Sequence, residues 1–342
     1  MLDDLKFIHF RDGSDALGIA ERQASQLDHE FGALKLKGGY KNVVHAGMGG
    51  SALPALVAQV WPSAQVPFEV SRQYHAPSYV GPDTLFIACS YSGNTEETLN
   101  ALTEAEGQGA EIVILSGGGK LHEIARQKGY PFLLIPKAEQ PRYAVFYMLA
   151  AIVKIFESAG LADPEAADEL KRAAPFVAEA VKAWLPTVPL ANNPAKKLAQ
   201  ELAGKSAIIY GGPLMAAAAY KWKISFNENA KNVAWWNELP EFDHNELIGW
   251  TSHPIEKPYG VVEIRSSLEH PRVLKRFEVA ERLLSGRRPA PHVVEPEGDS
   301  LLQQLLWAIA YGDFVTLYVA LLNNQNPSPV DLVEKFKKAL DE

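Results

Sequence analysis

The sequence predicts an α/β protein made of two doubly wound domains, each a mostly parallel sheet flanked by helices. Three observations carry that expectation. Short apolar runs of strand length alternate with runs of helix length, the pattern of βαβ units with right-handed crossovers. A strand, a glycine-rich turn and a helix open the series near Val43 and again near Ala207, so one arrangement is repeated. The 342 residues also leave room for two domains at about 150 residues each.

Taken in order, Lys41-Asn-Val-Val-His-Ala46 reads as a buried strand, Gly47-Met-Gly-Gly-Ser51 as a turn and 52–60 as a helix. A second apolar strand at 84–89 runs into Ser90-Tyr-Ser-Gly-Asn-Thr95 and then a helix at 96–106. A third strand at 111–115, the turn Ser116-Gly-Gly-Gly119, a helix at 121–128 and a fourth strand at 132–135 continue the alternation. Residues 144–182 read as helical, with a new helix starting at Asp163-Pro164, and 183–198 has the proline and asparagine content of a linker. The pattern then restarts with a strand at 206–210, the turn Gly211-Gly-Pro213 and a helix at 214–225. Strand 259–264, helix 271–284, strand 292–294 and a last helix at 329–340 follow. The expected organisation is 1–156 as the first domain, 157–198 as a helical connector and 199–342 as the second domain with its terminal helix. No chemistry is legible in residues 1–40.

Composition narrows the function. With 41 acidic against 33 basic residues the net charge is −8, so nucleic acid and anionic membranes are not attracted by the overall field. An anionic small molecule then requires a local site of backbone N–H groups, hydroxyls and a few cations. The single cysteine, Cys89, excludes an intramolecular disulfide, suits a reducing compartment and reads as core within its apolar strand. The N-terminus has neither the basic nor the apolar region of an export signal, and a cytoplasmic protein is expected. The run 305–322 approaches membrane-span length, but Gly312, Asp313 and Thr316 interrupt it, which predicts a buried helix between layers.

In parallel sheets, ligands bind beyond the carboxyl ends of strands, where loops enter helix N-termini. Gly47-Met-Gly-Gly-Ser51 falls there and lacks the glycine spacing of a dinucleotide fingerprint. Ser90, Ser92 and Thr95 gather three hydroxyls around Gly93 at a strand-to-helix junction, which suits a phosphate monoester. Ordinary N-capping, with a capping box from Thr95, Thr98 and the nearby glutamates, accounts for the same residues, and both readings stand at this point. Ser116-Gly-Gly-Gly-Lys120 lacks the spacing of a nucleotide loop and reads as a helix-entry turn. A second polar cluster, Asn227-Glu-Asn-Ala-Lys231 with Leu239-Pro-Glu-Phe-Asp-His-Asn-Glu246, offers Glu228 and His244 as a base and an acid, or a solvated helix end with a polar loop. The nine histidines are scattered without ligand spacing, so neither metal nor cofactor is expected.

In this order, Gly47-Met-Gly-Gly-Ser51, Ser90-Tyr-Ser-Gly-Asn-Thr95, Pro141-Arg142, Asn227-Glu-Asn-Ala-Lys231 and Leu239-Pro-Glu-Phe-Asp-His-Asn-Glu246 resemble the bifunctional phosphoglucose/phosphomannose isomerase family, a branch of the sugar isomerase (SIS) domain proteins. The serine motif alone marks sugar-phosphate domains in general, whereas the Glu-Asn-Ala-Lys and His-Asn-Glu pair is far more specific. The resemblance spans the chain from about Lys41 onward. It implies two SIS-type domains and a phosphorylated hexose substrate. The phosphate would be bound by Gly50, Ser51, Ser90, Ser92 and Thr95, with Arg142 binding substrate and stabilising negative charge. Glu228 would be the isomerisation base, with His244 and Lys337 opening the sugar ring. Lys335 and Lys338 compete with Lys337 for that place, and Ser328 is nearest to the family's polar residue before the last helix. The implied activity interconverts glucose 6-phosphate and mannose 6-phosphate with fructose 6-phosphate through a cis-enediol, without cofactor, in a homodimer where His244 enters the neighbouring subunit's site. A non-catalytic sugar-phosphate sensor and an aminosugar-phosphate isomerase or etherase are the competing readings.

Overall fold

The computed structural model describes residues 1–251 and 258–340. Asp4 caps helix α1 (Leu5–Arg11), its carboxylate accepting from the N–H groups of Lys6 and Phe7, and α2 (Ala16–Arg22) follows. The chain divides into two compact units, one of Arg22–Ala178 and one combining Met1–Glu21 with Glu179–Glu342.

In the unit of Arg22–Ala178, β1 (Asn42–Ala46), α3 (Leu53–Ala58), β2 (Phe68–Ser71), β3 (Thr84–Ser90), α4 (Glu96–Gly107), β4 (Glu111–Ser116), α5 (Gly119–Lys128) and β5 (Phe132–Leu134) alternate. Helices α6 (Val145–Ala159) and α7 (Ala166–Val181) come next. The strands form one parallel sheet in the order β2-β1-β3-β4-β5. The period of two along a strand assigns its faces. Val44, Ala46, Phe86, Ala88, Ile112 and Ile114 share one face and pack with Ala101, Leu102 and Ala105 of α4 and Leu121 and Ala125 of α5. The other face meets α6, where Cys89 Sγ lies 4.0 Å from Met148 Sδ. Helices thus cover both faces, and the central strand β3 is buried along its whole length, which is why it reads as an unbroken apolar run.

The other unit repeats the scheme. After α8 (Pro194–Leu202) come β6 (Ser206–Gly211), α9 (Ala216–Glu228), β7 (Ala234–Glu238), α10 (Glu241–His244), α11 (Glu246–Gly249), β8 (Tyr259–Ile264), α12 (Pro271–Leu284), β9 (His292–Val294), α13 (Leu301–Leu322) and α14 (Asp331–Leu340). The parallel sheet runs β7-β6-β8-β9. Ile208, Tyr210 and Val261 face Val273, Phe277, Ala280 and Leu284 of α12. Helix α9 packs on β6 and β7, and α13 on α8 and α9. The apolar run of near membrane-span length is α13, a core helix with 94% of its most apolar stretch buried.

Three differences from expectation have physical reasons. The sequence pattern does not predict β2 and β7; both are edge strands, and their exposed residues (Trp235 is 51% exposed) break the apolar signal. The stretch 183–198, expected as linker, already contains the start of α8, with Pro194 at its first turn and the Asn193 side chain accepting from the N–H of Lys196. Residues 1–21, expected with the first domain, belong to the later unit. Asp3 explains this, since its carboxylate accepts from the Leu190 N–H at 2.8 Å and from the buried Lys196 Nζ at 2.9 Å. That ammonium also donates to the carbonyls of Pro186 and Val188, both at 2.8 Å.

Candidate functional site

Strand order decides where a ligand fits. In the five-stranded sheet the order reverses between β1 and β3, and loops leaving neighbouring strands in opposite directions open a crevice at their carboxyl ends. The loop after β1 is Gly47–Ser51 and that after β3 is Ser90–Thr95, so both serine-bearing motifs meet at one point.

Their hydroxyls converge. Ser90 Oγ lies 2.8 Å from Thr95 Oγ1 and 3.3 Å from Ser92 Oγ, and accepts from the Gly93 N–H at 3.1 Å. Ser51 Oγ accepts from the Tyr91 N–H at 3.0 Å, which joins the two loops. Ser90 and Ser51 are buried at the base of the cluster and Ser92 is exposed at its rim. Thr95 occupies the N-cap of α4 but makes no capping bond to it. Of the two readings of this motif, the capping box is therefore the one the geometry sets aside. The first turn of α4 presents its N–H groups and the positive end of its dipole beside three hydroxyls.

Arg142 joins this cluster through Gly50. It sits in the short 3-10 turn Pro141–Tyr143, and a Cβ on Gly50 would come within 3.1 Å of the Arg142 nitrogen and of the Pro141 carbonyl carbon. A side chain there would crowd the two segments, and glycine leaves them room to lie this close. Arg142 is not the surface residue that an arginine after proline commonly is; it is buried, with its guanidinium 4.7 Å from the centre of the Tyr143 ring. The structure thus brings Gly50, Ser51, Ser90, Ser92, Thr95 and Arg142 together in one unit.

Two residues here carry no role in the sequence reading. His45, buried within β1, has Nε2 at 2.9 Å from the Ser51 carbonyl. A carbonyl only accepts, so Nε2 holds the proton. Burial pushes the imidazole down to about 4, which keeps it neutral near pH 7. Tyr91, between the two serines Ser90 and Ser92, reaches a separate segment with its phenol. A lone histidine in an apolar strand looks like core, and a tyrosine's reach is not written in its neighbours.

The remaining candidates lie on the other unit. Glu228 is the last residue of α9 and half-buried. The residues around it fix the backbone. Asn229 Nδ2 donates to Thr316 Oγ1 of α13 at 3.0 Å, Asn227 Nδ2 to the Asn232 carbonyl at 2.9 Å, and Lys231 Nζ to the carbonyls of Glu228 and Pro327 at 2.7 and 2.9 Å. His244 ends α10 and is exposed. Its loop is held on both sides, by Asp243 paired with Arg276 at 2.7 Å and by Glu246 accepting from Tyr210 and from Asn237 Nδ2. Lys337 is exposed on α14 and pairs with Glu334 at 2.8 Å, while its neighbours Lys335 and Lys338 are also exposed. Ser328 is buried just ahead of α14. Trp236 packs on Tyr220 and Trp235 on Tyr259.

This unit has its own point of reversal, between β6 and β8, and a side chain links its two loops. Glu269, from the loop after β8, reaches the turn after β6, where Oε1 accepts from the Leu214 N–H at 2.8 Å. The carboxylate fills the position a Cβ on Gly212 would need, with Oε1 only 2.3 Å away. Burial raises its pKa, against the pull of the Leu214, Met215 and His270 N–H groups. Hydroxyls gather at one reversal, and a carboxylate links the loops at the other.

Comparison with known proteins supplies the family. Residues 191–340 match the family model of the bacterial phospho-glucose isomerase C-terminal SIS domain. The bifunctional phosphoglucose/phosphomannose isomerase of Caldicellulosiruptor bescii is 34% identical over 88% of this chain and 89% of its own length. That of Aquifex aeolicus is 32% identical over 88% of this chain and 91% of its own length. Among solved structures, a glucose-6-phosphate isomerase like protein from Thermus thermophilus superposes with a TM-score of 0.66 at 18% identity, covering 97% of this chain and 99% of that one, which shows the fold. Sequence likeness over nearly the whole length, on two parallel sheets of this type, settles the assignment: the chain belongs to the bifunctional phosphoglucose/phosphomannose isomerase family, and it is an enzyme that isomerises sugar phosphates.

Proposed function

We propose that the enzyme is an aldose–ketose isomerase that interconverts glucose 6-phosphate and mannose 6-phosphate with fructose 6-phosphate through a cis-enediol. The observation that carries the substrate class is the Ser90–Ser92–Thr95 hydroxyl cluster at an N-terminus of α4 that Thr95 leaves uncapped. A phosphate ester offers several acceptors to such donors, and its binding energy positions the sugar without touching the reacting carbons.

Isomerisation moves one proton between adjacent carbons, C1 and C2. On a cis intermediate both lie on one face, so one carboxylate takes the proton from one carbon and returns it to the other; Glu228 has that role in this proposal. Negative charge then accumulates on the sugar oxygens, and the Arg142 guanidinium offsets it most strongly where water is excluded. Hexose phosphates are mainly cyclic, so a ring-opening step comes first. It needs an acid at the ring oxygen and a base at the C1 hydroxyl, assigned to His244 and Lys337. The same proposal makes the enzyme a homodimer in which His244, exposed on a single chain, completes the neighbouring subunit's site.

Deuterium uptake tests this reading. With fructose 6-phosphate in deuterated water, the wild-type enzyme introduces label at C1, whereas Glu228→Gln still binds the sugar and loses at least about 1,000-fold in turnover. Unchanged turnover in that variant removes Glu228 as the base. Binding without exchange by the wild type indicates a sensor instead, faster turnover of glucosamine 6-phosphate an aminosugar isomerase, and inert mannose 6-phosphate an enzyme confined to glucose 6-phosphate.

A further inference from the structure

We propose that Tyr91 is a positioning residue for the isomerisation, its phenol holding the chain segment that delivers Arg142 to the substrate. The inference rests on the reading that Arg142 meets the charge developing on the sugar. Tyr91 is attached to the crevice at three points. Its N–H donates to Ser51 Oγ at 3.0 Å and its carbonyl accepts from the Gly117 N–H at 3.0 Å, so its backbone ties the β1 loop to the turn after β4. Its phenol O–H donates to the Ala138 carbonyl at 2.7 Å and its oxygen accepts from the Ala138 N–H. One hydroxyl thus engages both polar groups of one residue, as a neighbouring strand would.

Where that residue stands gives the contact its meaning. After β5 the Ile135 N–H still bonds to the Ser116 carbonyl at 2.8 Å, and 136–140 then has no regular structure until the turn carrying Arg142, which opens with Gln140 accepting from the Tyr143 N–H at 3.0 Å. Ala138 is midway along this irregular stretch. Burial of the Tyr91 phenol raises its pKa and keeps the donated proton in place. The residue that orders the serine loops from its backbone therefore braces the arginine segment from its side chain.

Tyr91→Phe deletes the phenol oxygen and leaves the backbone bonds to Ser51 and Gly117 intact. With fructose 6-phosphate, kcat is expected to fall about 10- to 100-fold while KM stays within about threefold of wild type, because the phosphate donors are untouched. Thermal unfolding and circular dichroism confirm that the variant is folded. The same change in an Arg142→Lys background is expected to cost no more than about twofold further, since what the phenol positions is already lost. Wild-type kcat in Tyr91→Phe, a rise in KM alone, or equal losses in both backgrounds overturns the inference. A wild-type enzyme that does not turn over fructose 6-phosphate overturns the functional reading and this inference together.

Discussion

His45 shows how a residue buried within a strand holds the loop that follows it. Its imidazole is buried in β1 and holds the Ser51 carbonyl, so the fold requires the neutral ring. The sign of the pH effect follows. As pH falls below the ordinary value of 6.5, the unfolded chain takes up a proton that the folded chain refuses until about 4. Stability is therefore lost across that window, by about 2 kcal/mol between pH 7 and pH 5. Urea unfolding of the transition that includes β1 checks this, with His45→Gln, a donor that does not titrate, expected to flatten the decline; an equally steep decline in the variant assigns the acid sensitivity elsewhere. At this scale the sequence reveals the types of the site residues and little of their directions. Ser90, Ser92 and Thr95 are readable as phosphate donors or caps, and the choice between them depends on which way one threonine hydroxyl turns. Arg142 looks ordinary until its burial is known.

Between elements, the contact that fixes the end of α9 is ionic and buried. Lys221 of α9 and Asp313 of α13 form a salt bridge with both side chains almost wholly inaccessible, and Ser225 joins it, accepting from Lys221 Nζ at 2.7 Å and donating to Asp313 Oδ1 at 2.9 Å. One helical turn beyond Ser225, Asn229 binds Thr316. Removing one member strands the other, and Asp313→Leu is expected to cost about 3–5 kcal/mol in unfolding free energy. Lys221→Met combined with Asp313→Leu is expected to recover most of that loss, to within about 1 kcal/mol of wild type. Chemical denaturation of both variants measures this, and a double variant as unstable as the single one disproves the account. The polar interruptions in the apolar run of α13 are visible in the sequence as reasons against a membrane span. Their partners are not, because Lys221 and Asp313 are 92 residues apart. Central strands are legible for the opposite reason: burial on both faces leaves a continuous apolar run, whereas the edge strands β2 and β7 carry no such mark.

For the whole molecule, the doubled α/β plan is readable from the repeated strand–glycine–helix entry, but the affiliation of the first residues is not. A single ammonium, that of Lys196, and the Leu190 N–H draw Asp3 to the later unit across more than half the chain. On the reading that His244 serves a neighbouring subunit, mixing Glu228→Gln and His244→Ala chains, each inactive alone, restores part of the activity once subunits exchange. With random pairing about half of the dimers are mixed, and each of these has one intact site, so roughly a quarter of wild-type turnover is expected. No recovery after proven exchange confines the histidine to its own chain. Sequence alone does not decide this, because an exposed histidine looks the same beside solvent or beside a second subunit.

Glu269 gives the duplicated plan a direction. Two halves with matching strand reversals offer, in principle, two equivalent cradles, and a symmetrical protein would hold a phosphorylated sugar either way round. Glu269 sets a carboxylate against the turn after β6, where the matching reversal of the other half carries hydroxyls, so the two halves differ in chemistry at equivalent places. On the proposed reading, a phosphate ester then meets donors at one reversal and a carboxylate at the other.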